Sequence, residues 1–176
     1  LLLAPGLWLS YTGKVPWLAK AALGIVNLFI AFGFFAGFGT QPIQKYFALP
    51  LYVGCGLLFL YEAARNRRDP LPPPDRIQLA LLVLFLLYPL VSVLLGNRFP
   101  RMVTHVMPCP AVSLSIAVSA GYRRKNRLLL LLLAEWGPTS GKSLTVGDWE
   151  DQTLLACGVY AVYLMSRDCG KCKETR

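Results

Sequence analysis

Residues 77–95, IQLALLVLFLLYPLVSVLL, decide the fold class, because these nineteen consecutive positions carry no charged side chain. A helix rises about 1.5 Å per residue, so roughly 20 apolar residues cross the hydrocarbon core of a bilayer. Gln78, Tyr88 and Ser92 are the mildly polar positions in the stretch. It therefore predicts a membrane-spanning helix.

Further apolar runs on both sides predict an all-α fold, a polytopic transmembrane helical bundle that forms a single integral membrane domain over residues 1–176. Residues 1–11 are too few to span and predict the end of a truncated N-terminal span. With residues 77–95 included, we expect about six full spans. The other five are predicted at about 17–38, 46–64, 108–122, 127–144 and 152–166.

Two of these spans are short of apolar residues. Residues 108–122 would extend about 22 Å as a helix, which is less than a bilayer core. The leucine run after Arg127 loses its hydrophobicity at Glu135. We extend this span to residue 144, because a helix of about ten residues would leave backbone groups unsatisfied in lipid. Within residues 46–64, Gly54 and Gly56 predict close approach of a neighbouring helix.

The composition excludes a soluble nucleic-acid-binding protein. Hydrophobic residues make up 55% of the chain and charged residues 15%, and the mean hydropathy is +0.49. The formal charge is +9, but the basic residues form short clusters between apolar runs and are not interleaved with aromatic residues on one surface. Five cysteines show no framework spacing, and Cys55 and Cys157 lie within apolar runs as small hydrophobic residues.

The basic clusters also predict the orientation of the chain, because cytoplasmic loops of membrane proteins are enriched in lysine and arginine. If the Arg65–Arg76 loop is cytoplasmic, alternation of spans puts 14 of the 18 basic residues on that side. The C-terminal tail is then cytoplasmic and Asn97–Pro110 is non-cytoplasmic. We expect a multi-pass protein of the bacterial cytoplasmic (inner) membrane.

Asn97–Pro110, NRFPRMVTHVMPCP, is an irregular stretch that separates two apolar runs and is the first candidate site. Sulfur and imidazole ligands suit Cu(I), so Met102, His105, Met107 and Cys109 are candidate metal ligands. The alternative is a structural role, in which Pro108, Cys109 and Pro110 form the turn that begins the next helix. We favour the structural role, because nothing in the spacing requires the four side chains to converge.

Cys169 and Cys172 form a second candidate metal or thiol site, since C-x-x-C is a spacing of zinc ligands and of redox centres. Zinc needs about four ligands and the chain holds no second pair at this spacing. We favour the interpretation that Cys169 and Cys172 have this spacing by chance. The alternative is that they bind a metal ion shared between subunits of an oligomer.

Polar residues in the predicted spans are further candidates, because an ionisable group is costly within a membrane. Asn27, Glu62 and Glu135 are the positions singled out. Glu62 lies three residues before Arg65 and can pair with it at the interface, and Glu135 is expected to face the protein interior or the interface. Glu135 and the short helix after Pro110 motivate a transporter or permease as one alternative function, because broken helices line transport sites.

A set of residues spread over most of the chain carries a family resemblance. Its members are Tyr88-Pro89-Leu90, Gly96, Phe99-Pro100, Pro108-Cys109-Pro110, Trp136-Gly137, Ser140 and Glu150-Asp151. In this order they resemble an uncharacterised family of bacterial polytopic membrane proteins, a domain of unknown function with a Pro-Cys-Pro turn before a late transmembrane helix. The chain departs from that pattern at Ala111-Val112, where threonines are typical, and at His105, which has no counterpart. The resemblance implies a multi-span bacterial inner-membrane protein and no particular activity.

We find no catalytic constellation in the sequence and expect no cofactor. The favoured function is therefore non-catalytic, a structural or assembly role in the bilayer. A transporter is the first alternative and a metal- or thiol-handling membrane protein the second. The expected partners are the lipid bilayer and other membrane protein subunits or a second copy in a homo-oligomer, with no nucleic acid.

Overall fold

The computed structural model describes residues 3–96, 105, 107–136 and 152–174, and every regular element in these ranges is helical. The predicted all-α class is confirmed for this part of the chain. Two π-helical segments, Ile30–Ala36 and Gln44–Ala48, continue α2 and precede α3. The helices are α1 (Leu3–Tyr11), α2 (Trp17–Phe29), α3 (Leu49–Arg65), α4 (Arg76–Leu94), α5 (Pro108–Gly121), α6 (Arg127–Ala134) and α7 (Gln152–Glu174), with side chains of α7 described for 154–167.

Three helical stretches in the described residues are long and apolar enough to cross a membrane: Trp17–Ala36, Gln44–Arg65 and Arg76–Leu94. They correspond to three of the six predicted full spans, and the other three are not supported as full spans. Two of those correspond to shorter apolar helices, Pro108–Gly121 and Leu154–Arg167.

The helix predicted over 127–144 ends much earlier, because α6 stops at Ala134 after eight residues. Glu135 and Trp136 form a turn, and residues 137–144 lie outside the described residues. Hydrophobicity is lost at Glu135, and Pro138 disfavours a helical backbone at the residue before it. The sequence pattern alone would have placed this end correctly, and our extension for the sake of membrane thickness misplaced it.

The chain divides into two compact units, and the first comprises Leu1–Pro73 with Gly121–Arg124. Its core lies between α2 and α3, where Leu23, Ile30, Tyr52 and Phe59 are buried. Ser10 of α1 supports the start of α2, because its hydroxyl accepts a hydrogen bond from Ala19 N–H at 2.8 Å. That contact satisfies one of the free N–H groups of the first helical turn.

Helices α2 and α3 cross at two glycines. A Cβ built on Gly56 would lie 2.7 Å from Leu28 Cγ and 3.1 Å from the Gly24 carbonyl oxygen. A Cβ on Gly24 would likewise lie 3.1 Å from the Gly56 carbonyl oxygen. The close approach predicted for Gly56 is confirmed, and Gly24 is the partner that the sequence analysis did not identify.

A Gly56→Ala variant is expected to lose about 1–2 kcal/mol of stability, because the added methyl overpacks the crossing by more than the gain in helix propensity. Thermal unfolding of the purified protein in a mild detergent measures the loss. Gly33→Ala is the matched control, since a Cβ there would meet the Phe29 ring at an ordinary 3.6 Å. Equal unfolding temperatures for the two variants would contradict the close crossing.

The second unit comprises Pro74–Ala120 and Lys125–Arg176. It begins with a capping box on α4, in which Asp75 Oδ1 accepts from Gln78 N–H at 2.7 Å and Gln78 Oε1 accepts from Asp75 N–H at 3.0 Å. Helix α5 is buried at twelve of its fourteen positions, serines included. The buried Cys157 on α7 packs as a small hydrophobic residue, as the sequence predicted.

Candidate functional site

A buried charge cluster lies in the first unit and is centred on Lys20. The Lys20 Nζ atom lies 3.1 Å from Asp69 Oδ2 and 3.5 Å from Glu62 Oε2. It also lies 4.1 Å from the centroid of the Tyr122 ring, within the range of a cation–π contact. The side chains of Lys20, Glu62 and Asp69 are 5%, 11% and 3% exposed. We call these four residues the Lys20 cluster.

The fold brings these residues together from three places in the chain. Lys20 lies near the start of α2 and Glu62 on the last turn of α3, two elements that pack against each other. Asn66 ends α3, and its side-chain amide donates to Glu62 Oε2 at 2.6 Å. The turn continues as Asp69 N–H donates to the Asn66 carbonyl at 3.1 Å, which places the Asp69 carboxylate against Lys20.

Tyr122 completes the cluster from the residue directly after α5. Its hydroxyl donates to the carbonyl of Pro16 at 2.7 Å, and Pro16 precedes the first residue of α2. Burial raises the pKa of the Tyr122 phenol, and the nearby Asp69 carboxylate raises it further. The phenol therefore stays protonated and able to donate at neutral pH. The hydrogen bond that this phenol donates contributes fully to stability below the ordinary tyrosine pKa of about 10. The contribution is lost as the pH rises through the raised pKa of Tyr122.

Beside this cluster is an open cleft of about 710 Å³, within the size range of small-ligand pockets. We call it the arginine cleft, because five of its nine lining residues are arginines. The lining residues are Ala64, Arg65, Asn66, Arg67, Arg68, Asp69, Pro70, Arg123 and Arg124. All of them belong to the first unit.

The arginine cleft has the chemistry of an anion-binding site. All five arginines are exposed, whereas the Asp69 carboxylate is buried against Lys20. Arg65 is oriented by its own helix, since its guanidinium donates to the Tyr61 hydroxyl at 2.6 Å. Arginine stays charged at every physiological pH and matches carboxylate and phosphate oxygens in a bidentate geometry. The lining includes no histidine, cysteine or serine that could act as a nucleophile or base.

The Pro-Cys-Pro segment forms the first turn of α5. Pro108 and Pro110 are buried and Cys109 is half-buried. The carbonyl of Cys109 accepts a hydrogen bond from the Ser113 hydroxyl at 3.0 Å, one turn into the helix. The segment thus defines how α5 begins, and Cys109 is part of its backbone hydrogen bonding.

The candidate metal ligands are only partly described. His105 packs its ring 4.8 Å from that of Phe85, and its Nε2 atom is buried without a hydrogen-bond partner in the described residues. Met102 lies outside the described residues, and the structure gives no contact that joins Met107 to His105. Cys169 and Cys172 lie on α7, with their side chains outside the described part. No group of three His, Cys, Asp or Glu residues in the described ranges could hold a metal ion.

The polar candidates in the predicted spans occupy different environments. Asn27 is buried on α2, where its amide donates to the Leu23 carbonyl at 2.8 Å. Glu135 is exposed and directly follows α6, so it lies at the end of that helix and not within it. Trp136 is half-buried in the same turn. Asn27 belongs to the first unit, and Glu135 and Trp136 belong to the second.

The sequence pattern predicted no site at Lys20, at Asp69 or in the arginine cleft. The basic residues of these segments predicted only the orientation of the chain. A signal was present, because Lys20 is the one charged residue in its apolar run and a charge there needs a partner. The available partners were Glu62, near the end of the next predicted span, and Asp69, which follows it.

Comparison with known proteins places the chain in a family and gives no named activity. Neither a curated protein nor a solved structure matches the chain. One family model matches residues 1–173, which is nearly the whole chain, and so confirms the expected resemblance to an uncharacterised family. The protein belongs to the family of unknown function DUF6064.

Proposed function

We propose that this protein is a multi-pass integral membrane protein of the bacterial cytoplasmic membrane with a non-catalytic, structural or assembly role. Its expected partners are lipid and other membrane subunits or a second copy of the chain. The proposal is supported chiefly by the surface of α4. Ten of the nineteen residues of α4 are large apolar side chains that are exposed. They are Ile77, Leu79, Val83, Leu84, Leu86, Leu87, Leu90, Val91, Val93 and Leu94.

Water is a poor environment for such a surface. Soluble monomers rarely expose a continuous apolar patch of more than a few hundred Å², and larger patches mark protein or membrane contacts. Exposed aromatic residues on the stretch from Trp17 to Phe38 extend the same pattern to a second helix, with Phe29, Phe32 and Phe38 each at least 60% exposed. Two long helices with unpartnered apolar surfaces are best accommodated by lipid.

The distribution of charge supports the proposed orientation. Helix α3 ends at Arg65 and α4 begins at Arg76, so arginines stand at both ends of the connection between the two long apolar helices, which also holds Arg67 and Arg68. We place this connection and the C-terminal tail in the cytoplasm by the positive-inside rule, and Asn97–Pro110 on the opposite side.

A fractionation and labelling experiment tests both parts of the proposal. The full chain, expressed in a bacterium, is expected to stay in the membrane pellet after a wash with alkaline carbonate and to dissolve only in detergent. In a cysteine-free background, an impermeant thiol reagent should label Arg101→Cys in intact cells and Arg68→Cys only after permeabilisation. Release by carbonate would overturn membrane embedding, whereas the reverse labelling pattern would overturn only the orientation.

A further inference from the structure

We propose that the arginine cleft is a binding site for a phosphate group with two negative charges, either free in solution or at the end of a lipid headgroup. This inference goes beyond the proposed membrane role and does not depend on it. The cleft belongs to a single unit, and its binding chemistry follows from charge and geometry alone.

The charges that line the cleft are mostly positive. Arg67, Arg68, Arg123 and Arg124 are exposed, and no carboxylate in the described part of the chain lies within ion-pair distance of them. Four unpaired guanidinium groups around one concave surface repel each other and concentrate positive potential there. A bound anion would relieve this repulsion.

The two arginine segments, 65–68 and 123–124, are both held next to Lys20. Asp69, which directly follows Arg68, contacts the Lys20 ammonium at 3.1 Å. Tyr122, which directly precedes Arg123, contacts the same ammonium through its ring at 4.1 Å. The side chain of one buried lysine thus holds a direct neighbour of each arginine segment. Such fixed positions lower the entropy cost of binding a ligand.

This arrangement differs from an ordinary basic loop. Loop arginines in a membrane protein need only lie on the cytoplasmic side, and nothing in topology requires arginines from two distant segments to line one cleft. Here residues 65–68 and 123–124 do so. Arginine also binds phosphate in a bidentate fork, so the residue type suits this anion better than lysine would.

Binding is tested on the purified full chain in two arms. In the soluble arm, inorganic phosphate is titrated against protein in phosphatidylcholine nanodiscs, or in buffer if the protein proves soluble. In the lipid arm, retention of phosphatidic acid, a phosphate monoester lipid, is compared with retention of phosphatidylglycerol, a diester, by native mass spectrometry. We expect the monoester to be preferred over the diester, and binding to weaken as salt is added.

The decisive comparison is between two variants that each remove two exposed positive charges from the first unit. Arg123→Gln with Arg124→Gln is expected to weaken binding at least tenfold, since charge-assisted hydrogen bonds are lost. Lys14→Gln with Lys45→Gln, outside the cleft, should change it less than twofold.

A loss confined to the cleft variant supports the proposal, and the arm in which it occurs identifies the source of the phosphate. Three results would overturn the site: no binding in either arm, equal losses in both variants, or equal retention of the monoester and diester lipids. A protein that leaves the membrane in carbonate but binds phosphate would refute the membrane role and leave this site standing.

Discussion

A Lys20→Met variant is expected to lose about 3–5 kcal/mol of stability, because removing one partner of a buried ion pair leaves the other charge uncompensated. Methionine matches the length of the lysine stem, so the packing along α2 changes little. The loss comes instead from Asp69 and Glu62, two buried carboxylates that would lose the ammonium group they share. Thermal and denaturant unfolding in a mild detergent measure it.

Two further variants separate charge from packing in this prediction. Lys14→Met removes an exposed lysine from the turn before α2 and should stay within about 0.5 kcal/mol of the original protein. Adding Asp69→Asn and Glu62→Gln to Lys20→Met should restore much of the lost stability, because a cluster with no net charge needs no cation. If Lys20→Met is as stable as Lys14→Met, the carboxylates are solvated and the Lys20 cluster does not hold the fold.

Tyr122→Phe provides a finer comparison within the same cluster. The ring over Lys20 remains, but the hydrogen bond to the Pro16 carbonyl is lost. One such bond contributes about 1 kcal/mol, so this variant should fall well short of the Lys20→Met loss. A larger loss of stability in Lys20→Met than in Tyr122→Phe would identify the Lys20 ammonium, and not the tyrosine hydroxyl, as the main support of both segments of the arginine cleft.

Helix α4 shows what the sequence could predict. It was predicted over 77–95 and is observed over Arg76–Leu94. Its start is encoded locally, since Asp75 and Gln78 form the capping box within four residues. Its end is local too, because Gly96 adopts a φ of 92° that favours glycine. A long apolar run with a capping box before it and a glycine at positive φ after it determines where the helix begins and ends.

The Lys20 cluster shows what the sequence could not predict. Lys20 and Asp69 are separated by 49 positions, and their contact depends on the exact crossing of α2 and α3. That crossing depends in turn on Gly24 and Gly56 meeting, which no local pattern reports. Likewise the change from α- to π-helix at Ile30 leaves the apolar pattern unaltered. Local patterns gave the helices, whereas the site arises from long-range packing.

A Leu86→Arg variant is expected to reduce insertion strongly if α4 faces lipid. Leu86 lies near the middle of α4 and is 67% exposed. An arginine at the centre of a spanning helix costs about 2.5–3.5 kcal/mol on the scale of insertion into membranes. We therefore expect a fall of roughly fiftyfold or more in the ratio of inserted to non-inserted protein, measured by carbonate-resistant material.

Leu94→Arg is the matched control, because Leu94 is 76% exposed on the same helix but lies at its end. From that position an arginine side chain reaches the polar interface, so the cost should be small. The pair also distinguishes lipid from water, since an arginine at either exposed position of a soluble helix would cost little. Equal and near-neutral effects would show that the α4 surface is solvated. A large loss at Leu86 alone requires a low-dielectric environment around the middle of α4, and equal large losses at both positions would point to a protein interface that covers the whole helix.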